Sequence, residues 1–179
     1  MNDRFKFDRR DALLVIDVIN DFEHDDGEDL LQSFKERLRD MVEVLGAARD
    51  LEIPVVYVND DQDRWDSNAP ALIERALESE SAAEVASSLA PQSGEYFLLK
   101  HRYSAFDHTA LDLLLEEEDV ERIVLIGAAT EGCIVQTAID AREHGLKTTI
   151  IRDACATTDS ELEEIALRYA EEVVGARIS

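Results

Sequence analysis

Apolar residues fall along the chain in two alternating patterns. Short runs rich in Val, Ile and Leu occur as ALLVID at 12–17, PVVYVN at 54–59, EYFLLK at 95–100, RIVLIG at 122–127 and KTTIIRD at 147–153. Between them lie longer stretches in which apolar positions return every three or four residues, so strand-length and helix-length segments alternate as repeated βα units. The runs at 12, 54, 122 and 147 are apolar almost without interruption, which predicts strands buried on both faces of a parallel sheet and covered by helices. The expected fold is α/β: a three-layer doubly wound sandwich around a central, mainly parallel six-stranded sheet, with the sixth strand a short edge at 176–178.

The helical stretches predict how that sheet is covered. Residues 33–51 place Phe34, Leu38, Met41, Val42, Leu45 and Ala48 at helical spacing, and a second helix over 133–144 is closed by Gly145. In the last helix, capped by Asp159 or Ser160, the stripe Leu162, Ile165, Ala166, Tyr169 and Val173 reads as the covering face, with Gly175 as the stop. The loop at 60–70 is rich in Asp, Asn and Ser and carries the only tryptophan, Trp65. Long loops at strand carboxyl ends bind ligands in such folds, so this loop is a candidate site wall.

Composition narrows the function classes. With 179 residues and 45% hydrophobic content, the chain suits one domain over 1–179 with one substantial core. Forty-one Asp and Glu against eighteen Lys and Arg give a formal charge of -23, a field that repels phosphate backbones and anionic lipid, so neither nucleic acid nor membrane is expected as partner. The lysines are only Lys6, Lys35, Lys100 and Lys147. An acid-rich, lysine-poor surface suits concentrated salt, with an ordinary acidic cytosolic enzyme as the alternative. Two cysteines, Cys133 and Cys155, make no disulfide framework, and no signal-peptide or membrane-span pattern is visible, so a reducing cytoplasm is expected.

Chemistry concentrates at strand ends. Asp17 ends the first run, Lys100 ends the third, and Cys133 lies just past the fourth, where GAATEGC leads into a helix. In an open parallel sheet those ends share one edge, so residues far apart in sequence converge in the crevice where ligands bind. A cysteine sulfur attacks as thiolate, and a helix amino terminus with a nearby ammonium is expected to lower its pKa. A carboxylate beside it takes the thiol proton and returns it to a leaving amine, and the lysine keeps that carboxylate ionised. Taken singly, Asp17 reads as a strand-end cap, Lys100 as a surface cation and Cys133 as a small buried hydrophobe. Their joint placement favours catalysis.

With these residues in view, the chain resembles the isochorismatase-like cysteine hydrolases, a superfamily that includes nicotinamidases and N-carbamoylsarcosine amidases. The resemblance rests on ALLVIDVINDF at 12–22, LLKHRYSAF at 98–106, LIGAATEGCIVQTAIDA at 125–141 and DACAT at 153–157, in that order from end to end. It implies catalytic Asp17, Lys100 and Cys133, and a cis peptide between Ala128 and Ala129. It further implies an oxyanion hole made by the Ala129 and Cys133 amides, which would bind the charge developing on an attacked carbonyl oxygen. Phe22, Trp65 and Tyr103 are the substrate-binding positions that it suggests, an aromatic set for a small planar or apolar acyl group, and a homo-oligomer is also expected. Cys155 reads as an inert buried thiol.

Nicotinamidases of this superfamily hold a metal through an aspartate and two histidines after the second strand. Here that segment is NDDQDRW: Asp60 matches the aspartate, Gln62 stands at the next ligand position, and no histidine occurs between His24 and His101. Neither a metal site of that kind nor any other cofactor is expected. His101 and His108 read as surface or capping residues, and His24 and His144 carry less signal. The expected partner is a small-molecule substrate and the expected reaction is cleavage of a C–N bond of an amide or carbamoyl compound through a thioester on Cys133. The alternatives are vinyl ether hydrolysis, as in isochorismatases, and a non-catalytic binding protein on the same fold.

Overall fold

A computed structural model describes residues 6–60 and 65–179. Six strands, β1 (Asp11–Ile16), β2 (Val55–Asp60), β3 (Tyr96–Lys100), β4 (Arg122–Gly127), β5 (Lys147–Cys155) and β6 (Arg177–Ile178), form one sheet in the order β3-β2-β1-β4-β5-β6. Every pairing is parallel. The helices are α1 (Gly27–Asp50), α2 (Ala69–Glu78), α3 (Ala83–Leu89), α4 (Leu111–Glu117), α5 (Val135–Glu143) and α6 (Ser160–Tyr169). One π-helical turn, Thr130–Ile134, leads into α5, and another, Ala170–Val174, continues α6.

Burial follows the sequence pattern. All six residues of β1 are buried, as is nearly all of β2 and β4, which is why these strands read as continuous apolar runs. Alternate β1 residues serve opposite cores. Leu13 and Val15 pack with Phe34, Met41 and Leu45 of α1 and with Leu72, Val85 and Leu89 from α2 and α3. Leu14 and Ile16 pack on the other face with Leu111 and Leu115 of α4, Ala138 and Ala141 of α5, and Leu167 of α6.

Two elements depart from the sequence reading. The loop expected over 60–70 ends early, because Asn68 caps α2 by accepting a hydrogen bond from the Ala71 amide at 3.1 Å, with Pro70 in the first turn. The second departure is the face of α6. Asp159 caps it as expected, but Leu162, Ile165, Tyr169 and Val173 are exposed, and Ala166, Leu167 and Ala170 are buried with Glu163. Glu163 is 3% exposed because the Arg37 guanidinium of α1 meets both its oxygens, at 2.5 and 2.9 Å. That pairing turns a polar residue inward and rotates the apolar stripe away from the core.

The order of strands positions the site. β1 leads outward through β2 to β3, whereas β4, β5 and β6 extend from its other side, so the direction of winding reverses between β1 and β4. Crevices at carboxyl ends form at that reversal. There Gly127 has φ 118°, and a Cβ on it would lie 2.0 Å from the Ile16 carbonyl oxygen. Only glycine permits β1 and β4 to end so close together.

Candidate active site

Asp17 follows β1 with φ 52°, a left-handed conformation that aspartate tolerates better than branched residues. Its amide donates to the Val58 carbonyl at 3.1 Å, and its Oδ1 accepts from the Asp60 amide at 2.6 Å. The end of β2 thus fixes the carboxylate. Oδ2 faces Lys100 Nζ at 2.8 Å.

Lys100 ends edge strand β3 but is 1% exposed, because its side chain runs inward across the end of β2. Its Nζ meets Asp17, donates to Cys133 Sγ at 3.3 Å and donates to the Arg102 carbonyl at 3.1 Å. Three partners match the three ammonium protons. The Asp60 carboxylate lies 3.9 Å away. Burial alone would depress this ammonium, but the charge and hydrogen bond of Asp17, with the Asp60 charge behind it, hold the pKa above the usual lysine value.

Cys133 lies in the π turn ahead of α5 and hydrogen-bonds with Asp17 as well as Lys100. Its pKa corrects the sequence expectation. Burial and the Asp17 charge raise the thiol well above its ordinary range, and Lys100 offsets them only in part. The resting form is therefore a thiol with a carboxylate beside it, not a stored thiolate. Cys155 ends β5 fully buried, its Sγ 3.6 Å from the Leu125 carbonyl oxygen, and burial raises its pKa too.

The Ala128–Ala129 peptide is cis. The Ala128 amide donates to Ile16 at 2.9 Å, and among the described residues no acceptor meets the Ala129 amide. Ala128, Ala129, Gly132 and Cys133 line a cavity of about 970 Å³ together with Asp17, Asn59 and Tyr103. Tyr103 is exposed at this wall. The other two aromatic candidates lie elsewhere: Phe22 is buried edge-on against Phe34, and Trp65 is exposed and stacked on His101 at 4.0 Å between ring centroids. Gln62 lies outside the described residues. Among those described, no group of three or more His, Cys, Asp or Glu is placed to hold a metal.

Sequence reasoning missed two residues that brace this geometry. Asn59, buried at the end of β2, accepts from the Ile19 amide and donates to its carbonyl, both at 3.0 Å, and so pins the segment after Asp17. Thr137 of α5 accepts from the Ala105 amide at 3.0 Å and donates to the Cys133 carbonyl at 2.6 Å, tying the loop after Lys100 to the cysteine turn. Neither stands out in the sequence, since Asn59 opens the polar run NDDQD and Thr137 follows Gln136, so their buried hydrogen-bonding roles become visible only in the fold.

The wall also carries charge. Glu131, two residues before Cys133, accepts from Thr157 Oγ1 at 2.7 Å, the Thr158 amide at 2.9 Å and Thr158 Oγ1 at 2.8 Å. Arg75 enters from α2 and pairs with Asp21 at 2.7 Å.

Residues 11–179 match the isochorismatase domain family. An uncharacterized isochorismatase family protein, YaaI of Bacillus subtilis, is 34% identical over 168 residues, covering 94% of this chain and 92% of that protein. The maleamate amidohydrolase of Pseudomonas putida is 31% identical over 172 residues, covering 92% and 80%. In structure, the pyrazinamidase/nicotinamidase of Streptococcus mutans superposes with a TM-score of 0.75 at 28% identity over 94% of this chain and 99% of that one. The N-carbamoylsarcosine amidase of Thermoplasma acidophilum gives 0.71 at 28% identity, covering 95% of each. A domain match over nearly the whole length, similar relatives and a shared parallel sandwich agree: this chain belongs to the isochorismatase family of hydrolases.

Proposed function

We propose that the chain is a cysteine amidohydrolase that cleaves a C–N bond of a small amide or carbamoyl substrate through a thioester on Cys133. The observation that carries this reading is the contact of one buried ammonium, Lys100, with both a carboxylate and a thiol, Asp17 at 2.8 Å and Cys133 at 3.3 Å, beside an open cavity. The neighbours named as maleamate amidohydrolase and N-carbamoylsarcosine amidase favour amide chemistry over vinyl ether hydrolysis.

In the proposed cycle, Asp17 takes the proton of the Cys133 thiol as sulfur attacks the substrate carbonyl carbon. The C–N π-delocalised amide becomes a tetrahedral oxyanion, which the Ala129 and Cys133 amides receive. Collapse forms the thioester, and the leaving amine departs with the proton from Asp17. Water then gives a proton to Asp17 and attacks the thioester, and the proton returns to sulfur as the carboxylic acid leaves. Lys100 balances the carboxylate charge throughout. Because the resting sulfur is protonated, transfer to Asp17 belongs to the attack itself.

Intact mass recorded during turnover of small primary amides and N-carbamoyl compounds tests this. The expected result is an adduct of the acyl mass on Cys133 that is absent from Cys133→Ala, with turnover of that variant lowered by at least about a thousandfold. Asp17→Asn is expected to cost about a hundredfold or more, since it removes the proton acceptor without changing shape. Turnover without an adduct, retained in Cys133→Ala, would reject the thioester route.

A further inference from the structure

The cavity beside Cys133 is one-sided in charge. Among the described residues, six carboxylates line it, those of Asp17, Asp21, Glu23, Asp26, Asp60 and Glu131, against one guanidinium, Arg75. That guanidinium is neutralised by Asp21 at 2.7 Å, and the nearby Lys100 ammonium is committed to Asp17 and Cys133. Among the described residues, no cation pairs with Glu23, Asp26 or Glu131. His24, also on the wall, adds a positive charge only when protonated.

Glu131 differs from the other two. Glu23 and Asp26 are exposed, whereas Glu131 is half-buried and held by three donors from the loop before α6. Those donors are neutral, so they fix the direction of the carboxylate without cancelling its charge. A carboxylate fixed beside the nucleophile, with no free cation near it among the described residues, is matched by a ligand that brings its own positive charge and is mismatched by an anion.

Resting on the amidohydrolase reading, we propose that the substrate is a small amide carrying an ammonium group, with Glu131 as the residue that selects it, and that carboxylate-bearing amides are excluded. The amide would sit over Cys133 while the ammonium meets Glu131. Glu23 and Asp26, nearer solvent, add a field of the same sign across the cavity.

Three primary amides of matched length test the inference: 4-aminobutanamide as cation, pentanamide as neutral isostere and succinamate as anion. Binding is measured by calorimetry on Cys133→Ala, so the ranking does not depend on turnover, and kcat/KM is measured on the wild type. The cation is expected to bind about tenfold or more tighter than pentanamide, and succinamate more weakly than either. Glu131→Gln should bring cation and neutral to within about threefold, whereas Glu131→Asp, which keeps the charge, should retain most of the preference. A loss of fold or of site geometry would weaken both ligands together and leave their ratio alone. Glu117→Gln, which removes one exposed carboxylate of α4 outside the cavity, reports the contribution of overall charge and should leave the ratio unchanged. Absence of a preference for the cation, including failure of all three to bind, overturns the inference. A ratio insensitive to Glu131→Gln overturns the assigned residue. If the cation binds preferentially but no acyl adduct ever forms on wild-type Cys133, the charge selection stands and the thioester reading fails.

Discussion

At the residue scale, Asp17 and Lys100 push the Cys133 thiol in opposite directions, and that opposition is measurable. Burial and Asp17 raise its pKa while Lys100 lowers it, so iodoacetamide should label Cys133 slowly near pH 7, still ahead of fully buried Cys155. Asp17→Asn should accelerate labelling of Cys133 several-fold even as it removes turnover, because one pKa unit is tenfold in thiolate. Lys100→Ala should slow it. Faster labelling in Lys100→Ala than in Asp17→Asn would mean that the signs are wrong. The raised thiols also govern alkaline stability. Cys133, Cys155 and Tyr57 all have folded-state pKa values above their ordinary ones of 9.0, 9.0 and 10.0. Their contribution is present in full below those values and is lost as pH rises through them, because the unfolded chain ionises where the folded chain resists. Each group contributes a slope of up to about 1.4 kcal/mol per pH unit, so urea midpoints should fall from pH 8 to pH 10.5 and fall less steeply in Cys133→Ala. Equal slopes in the two proteins would remove Cys133 from the account.

At the scale of elements, α6 separates what pattern reveals from what packing decides. Leu167 is 4% exposed and Ile165 is 60% exposed, so Leu167→Ala should cost about 2–5 kcal/mol and Ile165→Ala about 0.5 kcal/mol or less in urea melts. Comparable losses would restore the stripe read from the sequence as the core face. The sequence marked that helix, its Gly175 stop and a cap at Asp159 or Ser160, of which Asp159 serves, but a period does not say which side of a helix meets the sheet when both sides carry apolar residues. The answer lay in the long-range pairing of Glu163 with Arg37, 126 positions apart. The strands were readable for the converse reason: β1, β2 and β4 are buried on both faces, so burial is written directly into continuous apolar runs. α2 and α3 hide among Ala, Ser and Glu, where only the Asn68-Ala69-Pro70 start marks a helix. Of the candidate site, Asp17, Lys100 and Cys133 were readable from their positions at strand ends, and the structure brings them into contact. The aromatic assignments were weaker because a ring can serve core or cavity alike: Phe22 went to the core, and of the three only Tyr103 reached the cavity wall. The raised thiol pKa depends on burial at the end of a folded sheet, which no local motif encodes.

At the scale of the whole molecule, the formal charge of -23 is spread over a fold only 179 residues long, and folding gathers those charges closer than the unfolded chain holds them. Few are cancelled strongly. Exposed pairs such as Arg39 with Glu43 contribute little, and the well-enclosed ones, Arg37 with Glu163 and Arg122 with Asp11, use arginines that the remaining acids then lack. Net repulsion is therefore a destabilising component that added salt should screen, since the screening length shrinks from about 10 Å at 0.1 M to about 3 Å at 1 M. The melting temperature is expected to rise as potassium chloride goes from 0.1 to 2 M, by roughly 2–4 °C for each kcal/mol of repulsion relieved. Replacing several exposed acids remote from the cavity, such as Glu116, Glu117 and Glu172, by Gln should raise the low-salt melting temperature and flatten its dependence on salt, because the variant starts with less repulsion to screen. A melting temperature independent of salt, or a salt response unchanged in that variant, would separate the acidic surface from stability and remove the case for adaptation to concentrated salt. Repeating the series in sodium sulfate distinguishes screening from general strengthening of apolar burial: screening saturates below about 1 M, whereas the sulfate effect keeps growing with concentration.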